Sequence, residues 1–184
     1  MGEFINVLIV RDNNGEKIRK TLKKIGSGLE GSLSFEDCQY IEYNRGVNVL
    51  LEDNMEFGCE KIAKTLSKEL SCPVMLCYIF DGDFWGYFFY NKGEDLDWFM
   101  SMPDYFGEAP EEERQMAAGD SKIIADFFYV EEGKIENYLQ IWPMDIWDRE
   151  EDTYAYEGDE YPAGQCWQIV DFMRAIGFPY ESKE

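Results

Sequence analysis

Asp81 and Asp83 flank a single glycine in IFDGDFWGYFFYNKGEDLDWFMSMPDYFG, residues 79–107. Two carboxylates at that spacing can hold Mg²⁺ or Mn²⁺ through oxygen, which makes them the chain's candidate metal ligands. The same triplet also suits a two-residue hairpin connection, because Asp-Gly tolerates the positive φ of a tight β-turn. Glu94, Asp95 and Asp97 fall near the opposite end of the predicted hairpin, too far away to complete a coordination sphere. The turn is the expected role of Asp81-Gly82-Asp83, and no cofactor is expected.

The remaining chemistry is narrowed by what the chain lacks. It has no histidine. That removes the commonest general acid or base near neutral pH and every Ser-His-Asp or Cys-His arrangement. Carboxylates could still work alone, since two acids on one strand face, such as Asp95 and Asp97, can share a proton. Five cysteines, Cys38, Cys59, Cys72, Cys77 and Cys166, include no C-x-x-C pair. An odd number without that spacing fits reduced, mostly buried thiols of a cytoplasmic protein rather than a zinc site or a disulfide framework.

A second candidate is the segment PMDIWDREEDTYAYEGDEYP, residues 143–162, with eight acids and one base interleaved with aromatics. Aromatic side chains anchor interfaces and acids steer a basic partner, so Trp147, Asp148, Glu150, Glu151, Asp152, Tyr154 and Tyr156 are the candidate binding residues. The competing reading is an acidic loop whose aromatics pack back onto the fold. The overall charge favours the same class of partner. Residues 1–70 carry 10 Lys+Arg against 12 Asp+Glu, whereas residues 71–184 carry 7 against 26, and the total is −21. Such a field disfavours nucleic acid and anionic membranes and attracts basic proteins. No apolar run approaches the length of a membrane span, and the start MGEFINVLIVRDNNG lacks the pattern of a signal peptide.

The elements that must position these residues follow from periodicity. Residues 4–10 read as a strand, and 16–25 as a helix with Ile18, Leu22 and Ile25 on one face. Gly26 would end that helix. The G-x-G-x-x-G at residues 26–31 follows a helix instead of opening one, so it reads as a loop rather than a dinucleotide site. Strands are expected at 38–43 and 47–52, then a helix at 56–70 capped by Asp53 or Asn54, then a strand at 74–80. This β-α-β-β-α-β order permits a ferredoxin-like start, a sheet with two helices. Strands at 84–90 and 94–100 extend it as a β-meander, giving one α+β domain over residues 1–184 with an antiparallel or mixed sheet.

In the meander Trp85, Tyr87 and Phe89 share one face, and Phe84, Phe88 and Tyr90 the other. Both faces therefore need cover, the C-terminal third should supply it for the second face, and Trp85 and Trp98 are expected to be buried. The face of the last strand with Asp95, Asp97 and Phe99 reads as the wetter one. C-terminal helices are expected at 110–118, at 121–128 with Asp120 as N-cap, at 134–141 and at 164–176.

Asp81, Asp83, Tyr87 and Gly93 are followed by Ser101-Met102-Pro103-Asp104-Tyr105-Phe106-Gly107, then Gly119-Asp120 and Ile176-Gly177-Phe178-Pro179, and together they make up one pattern. Over roughly residues 70–180 it resembles uncharacterised small acidic bacterial cytosolic proteins. The resemblance implies a bacterial cytosolic origin and supplies no catalytic residues. In type alone, as a small acidic α+β chain, the protein is similar to immunity proteins that neutralise bacterial toxins. The expected function is non-catalytic binding of a basic protein such as a toxin. The alternatives are a carboxylate-based divalent-metal enzyme and a small-ligand sensor with an aromatic pocket.

Overall fold

The computed structural model describes residues 3–28, 35–51 and 58–181. Strand β1 (Ile5–Val10) leads to helix α1 (Gly15–Ser27), the hairpin β2 (Gln39–Tyr43) and β3 (Gly46–Leu50), then helix α2 (Cys59–Leu70) and strand β4 (Pro73–Phe80). Strands β5 (Phe84–Asn91) and β6 (Glu94–Met100) follow directly. The six strands form one antiparallel open sheet in the order β2-β3-β1-β4-β5-β6. Its first four positions have the order of a ferredoxin-like sheet, and the meander extends that sheet at the β4 edge, as expected from the sequence. Among the described residues no helix is long and apolar enough to cross a membrane.

By its contacts the chain divides into two compact units. One comprises Phe4–Tyr78 and Phe88–Leu96. Here β3 pairs with β1 from Val7↔Leu50 to Val10↔Val47, and with β2 from Gln39↔Leu50 to Tyr43↔Gly46. Period-two alternation puts Leu8, Val10, Val47, Val49, Val74 and Leu76 into one core with Ile18 and Leu22 of α1 and Ile62 and Leu66 of α2. Asn14 caps α1 by accepting a hydrogen bond from the Lys17 N–H at 2.9 Å. Helix α1 runs through Gly26 to Ser27, slightly beyond the expected stop, and Gly28 is its C-cap. The rest of the glycine-rich loop and the proposed caps Asp53 and Asn54 lie outside the described residues.

The other unit comprises Met1–Glu3, Ile79–Tyr87 and Asp97–Glu184. Its helices are α3 (Glu111–Met116), α4 (Ser121–Phe128) and α5 (Gln168–Ala175). Asp120 caps α4 through the Lys122 and Ile123 N–H groups, as its position in the sequence predicts. Phe172 of α5 lies flat against Tyr87, with ring centroids 5.6 Å apart and planes 4° from parallel, and sits 5.2 Å from Trp85. Phe99 completes the cluster, 4.8 Å from Trp85. The Trp85 indole N–H donates to Gln168 Oε1 at 3.3 Å, so the buried ring has a polar partner. The C-terminal third thus covers the rings of Trp85 and Tyr87.

Three expectations change. Trp98, expected to be buried, is only partly so, like Leu96 and Met100 on its face of β6; on the other face Phe99 is fully buried under the aromatic cluster, Asp97 is partly buried and Asp95 is exposed. Asp97, two residues away on the Phe99 face, is satisfied there by the Tyr87 hydroxyl, which donates to it at 2.6 Å, and by the Asp120 N–H at 3.0 Å. Residues 134–141 form no α-helix but two 3₁₀ turns, Glu132–Lys134 and Glu136–Tyr138. The Asn137 N–H goes to the Tyr156 hydroxyl at 3.1 Å and its side-chain amide to the Ala155 carbonyl at 3.0 Å, which takes the donor a helix would use. The last helix begins at Gln168 rather than at residue 164, where Gly164 has φ +91° and cannot be helical. Trp85→Ala should lower stability in urea unfolding by about 3–5 kcal/mol. Trp98→Ala should cost about 1 kcal/mol, and equal losses would contradict the burial difference.

Candidate binding site

Asp81 and Gly82 take φ values of 54° and 77°. Positive φ at both central residues is what a type I′ hairpin turn requires, and the Asp83 N–H closes it onto the Phe80 carbonyl at 3.0 Å. The two carboxylates do converge, but on a phenol. The Tyr105 hydroxyl donates to Asp83 Oδ2 at 2.7 Å and lies 3.3 Å from Asp81 Oδ2. Its ring packs 4.9 Å from Phe84 and 6.0 Å from Phe80. Among the described residues no three His, Cys, Asp or Glu side chains are grouped to hold a metal ion. Sequence spacing alone offers no sign of Tyr105, which lies 22 residues beyond its carboxylate partner Asp83.

The thiols are placed for packing. Cys38, Cys59, Cys77 and Cys166 are buried, Cys72 is partly so, and none is in a disulfide. Burial pushes Cys59 up to about 12 and Cys72 and Cys166 to about 11. Such thiols hold their protons at neutral pH and make poor nucleophiles.

The acidic segment is braced from below. Asp171 of α5, with a fully buried side chain, accepts hydrogen bonds from the Glu160 and Tyr161 N–H groups at 2.9 and 2.8 Å. Arg174 bridges Asp171 and Glu160. Burial raises the Asp171 pKa, against the pull of those two N–H donors and the guanidinium. Asp159 accepts from the Tyr138 hydroxyl at 2.7 Å and from the Tyr156 N–H at 2.9 Å. These acids are therefore committed to shape, a role that counting charges cannot distinguish from an exposed one.

Further up the segment, the 3₁₀ turn Ile146–Asp148 sets the Trp147 indole N–H onto the Gly164 carbonyl at 3.0 Å. The Ala163 N–H meets the Thr153 carbonyl at 2.8 Å and draws the two strands of the loop together. At Gly164 a Cβ would fall 2.8 Å from Ile146 Cγ1, so only glycine permits this approach. The result is an open cleft of about 150 Å³ whose lining includes Trp147, Arg149, Glu151, Asp152, Thr153 and Gln165.

Of the residues selected from sequence, Trp147, Glu151 and Asp152 come together at this cleft. Asp148, Glu150 and Tyr154 are exposed outside its lining. Tyr156 turns inward and packs its ring 5.1 Å from Tyr138. Arg149, Thr153 and Gln165 were not singled out in the sequence, since a lone base among acids and two neutral residues carry no pattern. No family model matches this chain, and no curated protein or solved structure matches it.

The Asp83 hydrogen bond, helped by burial and the two nearby carboxylates, pushes the Tyr105 phenol from its ordinary 10 up to about 12. A raised folded pKa means that this tyrosine's contribution to stability is complete below pH about 10 and is lost as pH rises through about 12. The difference in phenolate absorbance between wild type and Tyr105→Phe should show a midpoint near 12, falling towards 10 when both carry Asp83→Asn. A midpoint indifferent to Asp83→Asn would refute the arrangement.

Proposed function

We propose that the chain is a non-catalytic binding protein that holds a basic protein partner on its acidic 143–161 segment, and that it neutralises that partner in the manner of an immunity protein. The observation that carries this reading is the exposure of two large aromatics among acids. Trp147 and Tyr154 are 49% and 46% exposed, beside the exposed Asp148, Glu150, Glu151 and Asp152. Half-exposed aromatics on a braced backbone offer buried area with little ordering cost, and the carboxylates draw in an opposite charge. The excess of acids over residues 71–184 extends that attraction beyond contact range.

Two kinds of variant separate steering from anchoring. Basic proteins, including nuclease and pore-forming toxin domains, are presented to the immobilised chain at rising salt. Binding should be fast at low salt and slow steeply as the field is screened over about 10 Å at 0.1 M. Neutralising Asp148, Glu150, Glu151 and Asp152 together should cut the association rate about tenfold, while Trp147→Ala should raise the dissociation rate by about the same factor. The partner should also lose its activity when bound. Binding that ignores both variant classes would remove the segment as the site, and a partner that stays active in the complex would remove neutralisation.

A further inference from the structure

The cleft has a narrower chemistry than the charged surface around it. Sites for drug-sized ligands run to about 300–1,000 Å³. At about 150 Å³ this one suits a single side chain, and a cavity of that volume elsewhere admits benzene. Trp147 lines it, half-exposed and restrained by the hydrogen bond from its indole N–H to the Gly164 carbonyl. Two acidic residues, Glu151 and Asp152, and two neutral polar ones, Thr153 and Gln165, are among the residues that line it. Both acids are exposed, and neither takes part in an ion pair with another side chain among the described residues.

We infer that the cleft is a receptor for one arginine side chain of the basic partner, an inference that rests on the binding function proposed above. A guanidinium is planar, always charged and weakly hydrated. It stacks on an indole face and presents a fork of donors that fits carboxylate geometry, where a lysine ammonium offers only a point charge. The lining draws on residues of both kinds, one aromatic and two acidic. Arg149 is the opposing feature, a cation in the same lining. It lowers affinity for any cationic guest and so makes the inference testable in both directions: removing it strengthens binding of an arginine and weakens binding of an anion.

The probe is N-acetyl-arginine methylamide, titrated into the full chain while the Trp147 indole N–H resonance is followed, that signal being assigned by its loss in Trp147→Phe. The neutral isostere N-acetyl-citrulline methylamide, the lysine analogue and N-acetyl-aspartate methylamide serve as comparisons. A saturable shift is expected with the arginine amide, a weaker response with lysine, and none with citrulline or aspartate. Glu151→Gln with Asp152→Asn should weaken arginine binding about fivefold, and Arg149→Gln should tighten it by a similar factor. The amide spectrum shows in the same experiment that each variant is folded. An equal response to citrulline, a preference for aspartate, or no saturable shift overturns the inference. If the amide fails to bind while basic proteins still bind through Trp147, the cleft assignment falls and the binding function stands. If the amide binds and basic proteins do not, the cleft assignment stands and the binding function falls.

Discussion

Two neighbouring residues on α5, Asp171 and Phe172, organise the C-terminal unit. Phe172 lies against Tyr87 and Trp85 and covers their rings. Asp171 is buried beside it and takes the main-chain N–H groups of Glu160 and Tyr161. Hydrophobic burial therefore fixes the helix, and the helix in turn presents the carboxylate that holds the acidic segment. A buried carboxylate is costly unless its oxygens are bonded, so the segment satisfies the carboxylate as much as the carboxylate restrains the segment. Loosening either residue would release the loop on which the cleft is built.

Acidity serves two purposes in this chain. Asp97, Asp120, Asp159 and Asp171 each accept a hydrogen bond from an N–H or O–H group and stabilise particular turns. Burial raises the Asp97 pKa, and the Tyr87 hydroxyl and the Asp120 N–H offset part of that cost. The surface acids of 148–152 have no such task, and at a net charge of −21 they repel one another. A cationic partner would relieve that repulsion, so the acids that stabilise the fold least have the most to gain from binding.

Sequence pattern resolves the elements of the first half of the fold well, because apolar alternation and amphipathic spacing mark each strand and helix, whereas the choice between an antiparallel and a mixed sheet depends on strand pairing, which periodicity does not encode. The Asp-Gly turn and the Asp120 cap are equally legible, each being a local preference of backbone and side chain. Residues 134–141 mislead because a helical pattern of apolar residues is overridden by Asn137, whose partners lie 18 and 19 residues away. Trp98 misleads because a strand near the sheet edge can leave one face open however aromatic its residues are. The cleft is only half legible: composition points to Trp147, Glu151 and Asp152, but their convergence depends on Gly164 and the Thr153–Ala163 bond, which no periodicity announces.

The distribution of sulfur gives the molecule a built-in clock for its own opening. Cys72, beyond the end of α2, is the only partly accessible thiol, whereas Cys77 lies deep in β4 and Cys166 just ahead of α5. A thiol reagent in excess can reach the buried positions only when the surrounding structure parts. Labelling of Cys77 then times the separation of the central sheet, and labelling of Cys166 times the fraying of the helix start behind the acidic segment. Mass spectrometry of the partly labelled chain would rank these excursions without any introduced reporter.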